Sequence, residues 1–396
     1  MQHFPYWRLS AYYFAYFAFI GVFAPYFGLY LQSLSFTAWD IGLLMSQMQL
    51  MRVIGPYLWG ALADRLGVRL LIVRATAVVA LCVFPAFFFV HRFDGLLLVM
   101  TVLAFFTAAA LPLIEALTLD HLRDNSARYS RVRLWGSVGF IVAVTATGIL
   151  LDHLGLASLL GISMVSLAGI ALCSLLVPDT LVQLPAEETP PVSEILRQPP
   201  VRALLAACFA MAVAHGALNI FYSILLAGHG YSKSAVGALF SLGVLAEIAV
   251  FLLMPRVMRR FSLRVILLTC FAAAVVRFAM IGWGVDILAL LVLAQVLHSL
   301  TYGACHSAAI AAINRCFPGR TRSRGQALYA GVSFGAGGLT GGLLSGWTWD
   351  YLGGELTFVL ASVYALIGLL LVAVWIGEKD VGAGQARRVV ETLDVV

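Results

Sequence analysis

Apolar and polar residues follow one another along this chain in long blocks rather than in alternation. Twelve blocks are apolar, and each is long enough to cross a hydrocarbon core of ~30 Å as a helix. We expect spans at 8–32, 39–63, 70–90, 95–120, 131–151, 154–177, 202–227, 234–256, 264–284, 287–313, 324–349 and 355–376. The first block is too long for a signal peptide, so it should remain as span 1. The pattern predicts an all-α integral membrane protein with twelve transmembrane helices.

The basic residues between the spans indicate the orientation of the chain. Most of its 25 Lys and Arg fall in loops on the side of the N-terminus, whereas Arg92 and Lys233 fall on the other side. Short cytoplasmic loops collect Lys and Arg, so we expect both termini in the cytoplasm. Arg52 and Arg277 remain within spans, where a charge is costly and usually has a function.

Residues 178–200 interrupt the apolar pattern with six prolines and three glutamates, a composition typical of a polar linker. We expect an N-terminal six-helix bundle at 1–177, a cytoplasmic linker at 178–200, a C-terminal six-helix bundle at 201–376 and a cytoplasmic tail at 377–396. In the second half, Val257–Arg264 takes the place that Leu62–Arg69 takes in the first. This correspondence predicts that the two bundles are pseudo-symmetric.

Composition excludes several classes of protein. Of the 396 residues 62% are hydrophobic and only 11% are charged, whereas a soluble protein carries about a quarter charged residues. The net charge of +6 comes from the loops, so it reflects topology and does not indicate nucleic-acid binding. The six cysteines lie in or at the ends of apolar runs, and we expect no disulfides. Because no phosphate-binding glycine loop, metal motif or catalytic triad is evident, we expect neither an enzyme nor a cofactor or metal site.

The loop between spans 2 and 3 carries the motif G-x-L-x-D-R-x-G-x-R, which contains Gly60, Asp64, Arg65, Gly67 and Arg69. Gly67 permits a sharp turn, because glycine takes positive φ without steric cost. We expect Asp64 to face the N-terminal end of span 11 when the cytoplasmic side is closed, since helix N-termini favour acids. In spacing and position the motif resembles the loop between helices 2 and 3 of the major facilitator superfamily of transporters. The resemblance implies two six-helix bundles, alternating access and a switch role for this loop.

Polar and ionisable residues inside the spans usually face the interior of a helix bundle. Here they are Arg52, Glu115, Asp120, His215, Asn219, Glu247, Arg277, His298 and His306. A glutamate whose charge depends on burial and on a nearby arginine, with histidines that titrate near neutrality, is typical of a proton site. We therefore expect proton coupling at Glu247, Arg277, His298, His306 and Glu115. The alternative is a static buried ion pair with histidines that bond backbone carbonyls.

Several segments resemble the 3-phenylpropionate permease subfamily of the same superfamily. They are Val132–Ser137 in span 5, Ala214–Ala217 in span 7, Gly230–Ser232 and Ser241–Glu247 at span 8, Val276–Arg277 in span 9, and Leu297–His298 and Cys305–His306 in span 10. The acid, arginine and histidines of spans 8 to 10 are also similar to the proton-coupling residues of lactose permease, which has a further glutamate in helix 10. The resemblance implies a monomeric proton symporter of the bacterial inner membrane, acting on a small organic anion such as 3-phenylpropionate.

Aromatic side chains on span 1 offer surface that can stack on a ring: Tyr12, Tyr13, Tyr16, Phe17, Phe19 and Phe23. Arg52, as a buried cation, suits a carboxylate, so we expect Arg52, Tyr16, His215 and Asn219 to bind substrate. The alternatives are a sugar or nucleoside symporter, a multidrug exporter and a non-transporting membrane sensor. Span 5 lacks the Gly-Pro pair of the drug antiporters, and the tail is short for a signalling domain, which disfavours the last two.

Overall fold

The computed structural model describes residues 4–122, 126–179 and 192–377, and within these ranges the chain is helical and contains no strand. The long helices are α1 Tyr6–Ser33, α2 Ala38–Leu66, α3 Arg69–Phe88, α4 Phe93–Leu122, α5 Ser126–Leu154, α6 Ser158–Leu176, α7 Pro199–Gly228, α8 Lys233–Arg260, α9 Leu263–Trp283, α10 Leu288–Cys316, α11 Arg322–Leu352 and α12 Gly354–Trp375. A five-residue helix, Ser193–Arg197, precedes α7. The all-α fold is therefore confirmed, while most of the predicted linker and tail lies outside the described residues.

Of these helices, eleven are long and apolar enough to cross a membrane. The twelfth helix, α2, is also long enough, with 29 residues, but polar residues interrupt its apolar sequence. Its middle carries two glutamines and Arg52, and its last turn carries Asp64 and Arg65. A helix of this composition is stable in a membrane only where its polar face is turned to protein or water.

Local signals in the sequence explain where α2 begins and ends. The Thr37 side chain accepts a hydrogen bond from the backbone N–H of Asp40, and the Asp40 carboxylate accepts one from the backbone N–H of Thr37. This capping box satisfies two N–H groups that the first turn leaves without helical partners. The helix ends at Gly67, whose φ of 66° is the left-handed conformation that the sequence predicts for this turn.

Three helices are interrupted. The α-helical hydrogen bonding of α4 is interrupted between Thr107 and Ala110, because Pro112 has no N–H to donate to the preceding turn. α10 is wound as a π-helix over Ser299–Ala304, and α11 is wound in the same way over Gly331–Gly337. Short π-helical stretches frequently mark functional sites.

The helix α5 begins earlier than the sequence predicts. Hydropathy places its start at residue 131, whereas the helix runs from Ser126. Charged and aromatic residues lower the hydropathy of this stretch, but arginine is a good helix former, so the helix continues outward. Arg133, which the charge pattern assigns to the cytoplasmic side at the start of the predicted span, consequently lies about two turns inside the helix.

The described chain forms two compact units. Unit 1 contains the described part of Met1–Ala186 together with Leu218–Ser241 and Gly342–Tyr351. Unit 2 contains the described part of Glu187–Ala217, Leu242–Gly341 and Leu352–Val396. Unit 1 thus includes one end each of α7, α8 and α11 as well as α1 to α6. The division into bundles at 1–177 and 201–376 stays a prediction.

Within unit 1 the core is built around α1, which packs along α5 and α6. Tyr12, Tyr13 and Phe27 are among its largest fully buried side chains. Close contact with α5 depends on small residues, since a Cβ at Gly21 would lie 2.7 Å from the carbonyl oxygen of Phe140. Most of the predicted aromatic stripe of span 1 therefore serves packing. In unit 2, α9 packs along α12 in the equivalent way.

Candidate functional site

A wholly buried arginine is the centre of a first cluster, in unit 2. The Arg277 side chain on α9 has no exposed surface. Its Nε donates to the carbonyl oxygen of Ala294 at 2.8 Å, and its Nη1 donates to Oγ1 of Thr301 at 3.1 Å. Its guanidinium carbon lies 5.3 Å from the centroid of the Phe278 ring. A buried cation bound in this way is fixed, because moving it would leave charged donors without acceptors.

His215 on α7 faces the same guanidinium. Its Nδ1 lies 2.8 Å from the carbonyl oxygen of Met211, and because a carbonyl only accepts, Nδ1 carries the proton of this bond. In the neutral ring Nε2 is then an acceptor, and it lies 3.4 Å from Nη1 of Arg277 and 3.5 Å from Oγ1 of Thr301. The sequence predicts His215 as a substrate ligand, whereas the structure places it among the groups that hold Arg277.

Glu247 on α8 and His298 on α10 form the acidic side of this cluster. Oε2 of Glu247 lies 3.9 Å from Nε2 of His298, and each side chain is 16% exposed. The His298 ring is 6.2 Å from the His215 ring, and it stacks on Tyr302 with the centroids 5.4 Å apart. At this distance the acid and the imidazole can exchange a proton after a small movement of either side chain, or through one bridging water. The structure thus brings together three of the residues predicted for proton coupling, with His215 beside them.

His306 is on the same helix as His298 but makes a different contact. Its Nδ1 lies 3.0 Å from the hydroxyl of Tyr329 on α11. Its ring is 5.7 Å from that of Phe334, and Phe334 is 6.4 Å from Tyr302, which stacks on His298. The contacts between the two histidines therefore run through packed rings. The predicted proton relay between them stays a prediction.

The π-helical part of α10 positions the centre of the cluster. An extra residue in one helical turn re-aims the side chains around it. Here Thr301, inside this stretch, reaches Arg277, while Gly303 faces α8. A Cβ at Gly303 would lie 3.0 Å from Cγ of Glu247, so the glycine allows α8 to approach α10 closely at the acid.

A second cluster lies in unit 1, where Arg133 on α5 meets α1 and α4. Nε of Arg133 lies 3.8 Å from Oε1 of Glu115, and the two side chains are 33% and 34% exposed. The guanidinium carbon lies 4.0 Å from the centroid of the Phe17 ring and 5.9 Å from that of Tyr13. A cation over a ring at such distances is attracted to the ring face. Arg133 is thus oriented by an acid and an aromatic ring while it remains accessible.

Gly136 leaves the space that this arrangement occupies. A Cβ at Gly136 would lie 2.9 Å from Nη1 of Arg133 and 2.7 Å from Cδ2 of Phe17. Either the guanidinium or the ring would have to move if this residue were larger. One turn further along α5, a Cβ at Gly139 would meet the carbonyl oxygen of Phe14. The two glycines therefore let α1 and α5 approach at the level of the arginine.

Arg133 is the candidate that sequence reasoning missed. The sequence counts it with the basic residues of the cytoplasmic side, because it is only the third residue of the predicted span 5. A usable signal was Glu115, an acid inside an apolar span, which requires a cationic or polar partner. An arginine at the edge of the next span is the natural partner of such an acid.

The predicted burial of Arg52 is wrong. Its side chain is exposed, and its Nη1 donates to Oε1 of Gln49 at 3.0 Å. The reason is that this stretch of α2 is little covered by protein, since Val53 and Ile54 are each 38% exposed and Tyr57 is 79% exposed. Tyr16 is partly buried on α1, and Asn219 is exposed on α7. Substrate binding by Arg52, Tyr16, His215 and Asn219 stays a prediction.

Of the motif predicted as a loop, Gly60, Asp64 and Arg65 lie inside α2, Gly67 forms the turn, and Arg69 begins α3. Nη2 of Arg69 lies 3.1 Å from Oδ1 of Asp64, and its Nη1 lies 3.0 Å from Oδ2 of Asp120 at the end of α4. A Cβ at Gly60 would have no neighbouring atom within 4 Å, so no close packing requires a glycine at this position. The contacts of the motif in this structure therefore join Asp64 to α4 through Arg69. Its role as a switch stays a prediction.

Long apolar helices that enclose isolated charged clusters are typical of a multi-pass membrane protein. Residues 6–360 match the model of the MFS_1 like family, and the chain belongs to that family, whose members are transporters rather than enzymes. The chain is 31% identical over 356 residues to a protein of Escherichia coli strain K12 named "Probable 3-phenylpropionic acid transporter", a match that covers 89% of this chain and 93% of that protein. It is 28% identical over 387 residues to maltose permease of Geobacillus stearothermophilus, a match that covers 95% of both.

Solved structures share the fold. A mutant of the nucleoside transporter NupG superimposes with a TM-score of 0.87, covers 94% of this chain and 100% of that chain, and is 17% identical. A bacterial homologue of the human lysosomal transporter Spinster, in an inward-facing and unoccupied conformation, gives 0.74 at 17% identity and covers 97% of this chain and 100% of that chain. At these identities the likeness shows the fold alone.

Proposed function

We propose that this protein is a secondary active transporter that couples a small aromatic or other organic carboxylate to protons by alternating access. The observation that carries the proposal is Arg133, whose guanidinium lies 4.0 Å above the Phe17 ring and whose side chain is 33% exposed. A carboxylate joined to an aromatic ring offers one group for the guanidinium and another for the ring.

The spacing between Arg133 and Glu115 leaves room for such a ligand to compete. Charge-assisted hydrogen bonds between arginine and a carboxylate are typically ~2.7–2.9 Å long. The two groups here are 3.8 Å apart, so the pair is loose. A substrate carboxylate that approaches the guanidinium can replace Glu115 as its partner. Glu115 is then left as an acid beside the bound anion, which is consistent with its predicted part in proton coupling.

The relatives favour the same substrate class. The Escherichia coli relative is named as a probable transporter of 3-phenylpropionic acid. That molecule has both a phenyl ring and a carboxylate, and therefore both features that the surface formed by Arg133 and Phe17 accommodates. We extend this substrate class to the present chain on those two grounds together.

Proton coupling is proposed for the cluster in unit 2. Glu247 and His298 are both largely buried, and their nearest polar atoms are 3.9 Å apart. Arg277 is bound nearby to the His215 side of the same cluster, and its fixed positive charge influences whether the acid is protonated. An acid and an imidazole that exchange a proton under the influence of a fixed cation can change charge during a transport cycle.

A second candidate is proton symport of a sugar. The carboxylate of Glu115 accepts hydrogen bonds and the guanidinium of Arg133 donates them, a combination that suits hydroxyl groups. Maltose permease, at 28% identity, is the relative that favours this possibility. A sugar would use the pair in unit 1 intact, whereas a carboxylate would separate it.

Binding and transport by the purified full-length protein test the proposal. We would measure thermal shifts with 3-phenylpropionate, its uncharged amide, maltose and a nucleoside. We would then measure uptake of labelled ligand into proteoliposomes with an inward proton gradient. The neutral acid crosses bilayers unaided, so protein-free vesicles with the same gradient set the baseline.

We expect stabilisation by 3-phenylpropionate but not by its amide, and proton-driven uptake above the baseline. Stabilisation by maltose alone would replace the carboxylate with a sugar as the substrate. Equal stabilisation by acid and amide would mean that no cation recognises the substrate, and the proposed role of Arg133 would be abandoned.

A further inference from the structure

A carboxylate binds the end of α11 to the beginning of α2. Oδ1 of Asp350 accepts a hydrogen bond from the backbone N–H of Ala38 at 3.0 Å, and its Oδ2 accepts one from the N–H of Trp39 at 2.9 Å. These N–H groups open α2 and have no partner within the helix. Asp350 therefore caps a helix 312 residues away in the sequence.

A second carboxylate does the same between α5 and α8. Oδ1 of Asp152 accepts from the backbone N–H of Lys233 at 2.9 Å, and its Oδ2 accepts from the N–H of Ser234 at 2.9 Å. The Lys233 ammonium lies 4.0 Å from Oδ1 of the same acid. The Tyr26 hydroxyl adds a further link, since it lies 2.8 Å from the carbonyl oxygen of Val144 on α5 and 3.2 Å from that of Lys233 on α8.

The two contacts are sequence repeats of each other. Each acid closes a G-x-x-x-D segment at the end of its helix, Gly148–Asp152 in α5 and Gly346–Asp350 in α11. Each capped helix is preceded by a hydroxyl residue, Thr37 before α2 and Ser232 before α8. α5 and α11 take equivalent places in the two predicted bundles, and so do α2 and α8. The repeated pattern makes an accidental pair of surface contacts a poor explanation.

The glycine of each segment brings the helices together. A Cβ at Gly346 would lie 2.7 Å from the carbonyl oxygen of Ala38. A Cβ at Gly148 would meet the carbonyl oxygen of Lys233. In both places, therefore, a side chain would separate the helices that the acid holds together. Each aspartate and the glycine four residues before it act on the same contact.

Another pair of repeated contacts provides a contrast. Arg74 on α3 donates to the carbonyl oxygens of Ser174 and Val177, at the end of α6. Arg264 on α9 donates to the carbonyl oxygen of Ile376, after the end of α12. Both arginines join helices of the same predicted bundle. The aspartates instead join a helix of the first bundle to a helix of the second, so only the aspartate contacts must change when the bundles move.

We propose that Asp152 and Asp350 form a paired latch that closes one side of this transporter. The latch consists of Asp152, which accepts hydrogen bonds from the first turn of α8, and Asp350, which accepts them from the first turn of α2. The basic residues of the sequence predict that this side is extracytoplasmic. The proposal rests on the transporter family and does not depend on which substrate or coupling ion is used.

The chemistry of the latch suits reversible opening. An anion at a helix N-terminus is stabilised by both the free N–H groups and the helix dipole. The Asp152 side chain is 23% exposed, and Asp350 is exposed, so water replaces the lost hydrogen bonds when the helices separate. A contact of this kind favours the closed state without trapping it.

Single-cysteine labelling tests the latch in the full-length protein in membrane vesicles. Ser46 on α2 has no exposed surface, and Ser241 on α8 is 7% exposed, so Ser46→Cys and Ser241→Cys report opening beside each half of the latch. A membrane-impermeant maleimide is added from the extracytoplasmic side, and peptide mass spectrometry locates the label. Native cysteines are followed in the same digests.

Asp350→Asn offers one carboxamide oxygen where the two N–H groups need two acceptors, and it removes the charge. We expect it to raise the labelling rate of Ser46→Cys roughly tenfold, as the loss of one favourable charge–helix interaction shifts a two-state equilibrium. Asp152→Asn should raise the labelling rate of Ser241→Cys by a similar factor. The double variant should exceed either single variant at both reporters.

Asp40→Asn is the matched control. Asp40 also lies in the first turn of α2, but its carboxylate accepts from the backbone N–H and the hydroxyl of Thr37 in the same turn. Its substitution removes the same charge from the same helix end without touching a contact between bundles. The labelling rate of Ser46→Cys should therefore remain at the parental value.

A second variant tests the same contact by removing the backbone N–H donor and leaving Asp350 unchanged. Ala38→Pro removes the N–H that Asp350 accepts from, and proline is well tolerated at the first position of a helix. The preceding Thr37 has a ψ of 163°, which a residue before proline readily adopts. We expect this variant to raise Ser46→Cys labelling as Asp350→Asn does. Parental labelling in both variants, or an equal rise with Asp40→Asn, would overturn the latch.

Discussion

At the scale of single residues, the proposed function assigns different tasks to two arginines in different environments. Arg277 is wholly buried and donates to a carbonyl and a hydroxyl of its own unit, so it can act only on groups already inside the protein. Arg133 is one-third exposed and loosely paired, so it can exchange a partner for a ligand. We therefore separate substrate recognition, at Arg133, from the response to protons, at Arg277 and its neighbours.

The first prediction concerns the shape of the Arg133 side chain. Arg133→Lys keeps the positive charge but loses the planar fork and the stacking on Phe17. We expect the affinity for 3-phenylpropionate to fall by about tenfold, equivalent to ~1.4 kcal/mol, with the fold retained. Isothermal titration or thermal shift of the purified protein measures the change.

Arg52→Lys is the matched control, because Arg52 is the cation that the sequence predicts for the same task. Arg52 is exposed and bonded to Gln49, and we expect its lysine variant to bind like the parent. Should Arg52→Lys weaken binding while Arg133→Lys does not, the original sequence prediction is right and the role given to Arg133 is wrong.

The second prediction concerns the proton carrier. Glu247→Gln mimics a permanently protonated acid beside His298, from which it is separated by 3.9 Å in the parent. We expect this variant to bind substrate and to exchange it across the membrane in counterflow, but to lose accumulation driven by a proton gradient. The physical reason is that a side chain without a titrating proton cannot link the gradient to the cycle.

Asp94→Asn, in the exposed first turn of α4, is the control for an acid-to-amide change. It should retain both counterflow and accumulation. Accumulation at the parental level by Glu247→Gln would remove Glu247 from the coupling mechanism. Loss of folded protein would support a structural ion pair, the alternative that the sequence left open.

At the scale of helices, the hydropathy pattern predicts the elements and their order but not their internal irregularities. Gly67 and the capping residues of α2 are readable because a single residue determines them. The π-helical turn that directs Thr301 to Arg277 arises from the packing of α10, which no local pattern encodes. The early start of α5 was missed because hydropathy measures polarity, whereas a helix continues wherever its backbone hydrogen bonds continue. Because Arg133 is close to that boundary, the charge pattern assigns it to the cytoplasmic side rather than to a site.

The third prediction concerns this π-helical turn. Thr301→Val keeps the size of the side chain but removes an acceptor of the Arg277 Nη1 hydrogen bond. Loss of one partner of a buried charged group costs ~1–3 kcal/mol. We expect a lower apparent melting temperature of the detergent-purified protein, with the affinity for the substrate carboxylate changed little.

Ser307→Ala, in the same helix, is the control for removing a hydroxyl that does not contact Arg277. The Ser307 hydroxyl donates to the carbonyl oxygen of Gly303 within its own helix, so its removal leaves no buried charge affected. It should lower the melting temperature less than Thr301→Val does. Equal effects of the two substitutions would contradict the assignment of Thr301 as a support of Arg277.

At the scale of the whole molecule, two kinds of contact are repeated: one within each predicted bundle and one between the predicted bundles. The arginines Arg74 and Arg264 fasten one helix to the end of another inside each predicted bundle. The aspartates Asp152 and Asp350 fasten helices of different predicted bundles. The proposed alternating-access cycle would preserve the first kind of contact and break the second. The sequence shows these residues but not their partners, which lie up to 312 positions away.

The last prediction compares Asp350 of the latch with Asp64 in the last turn of α2. In a two-state cycle, each closed side is favoured by its own contacts, and weakening one side shifts the population toward the opening of that side. Asp350→Asn should open the latch side, whereas Asp64→Asn should open the cytoplasmic side. Because the two acids are at opposite ends of the helices and share no partner, their effects should add as free energies. The double variant should therefore label Ser46→Cys more slowly than Asp350→Asn alone, and a rate equal to that single variant would show that Asp64 has no part in the equilibrium.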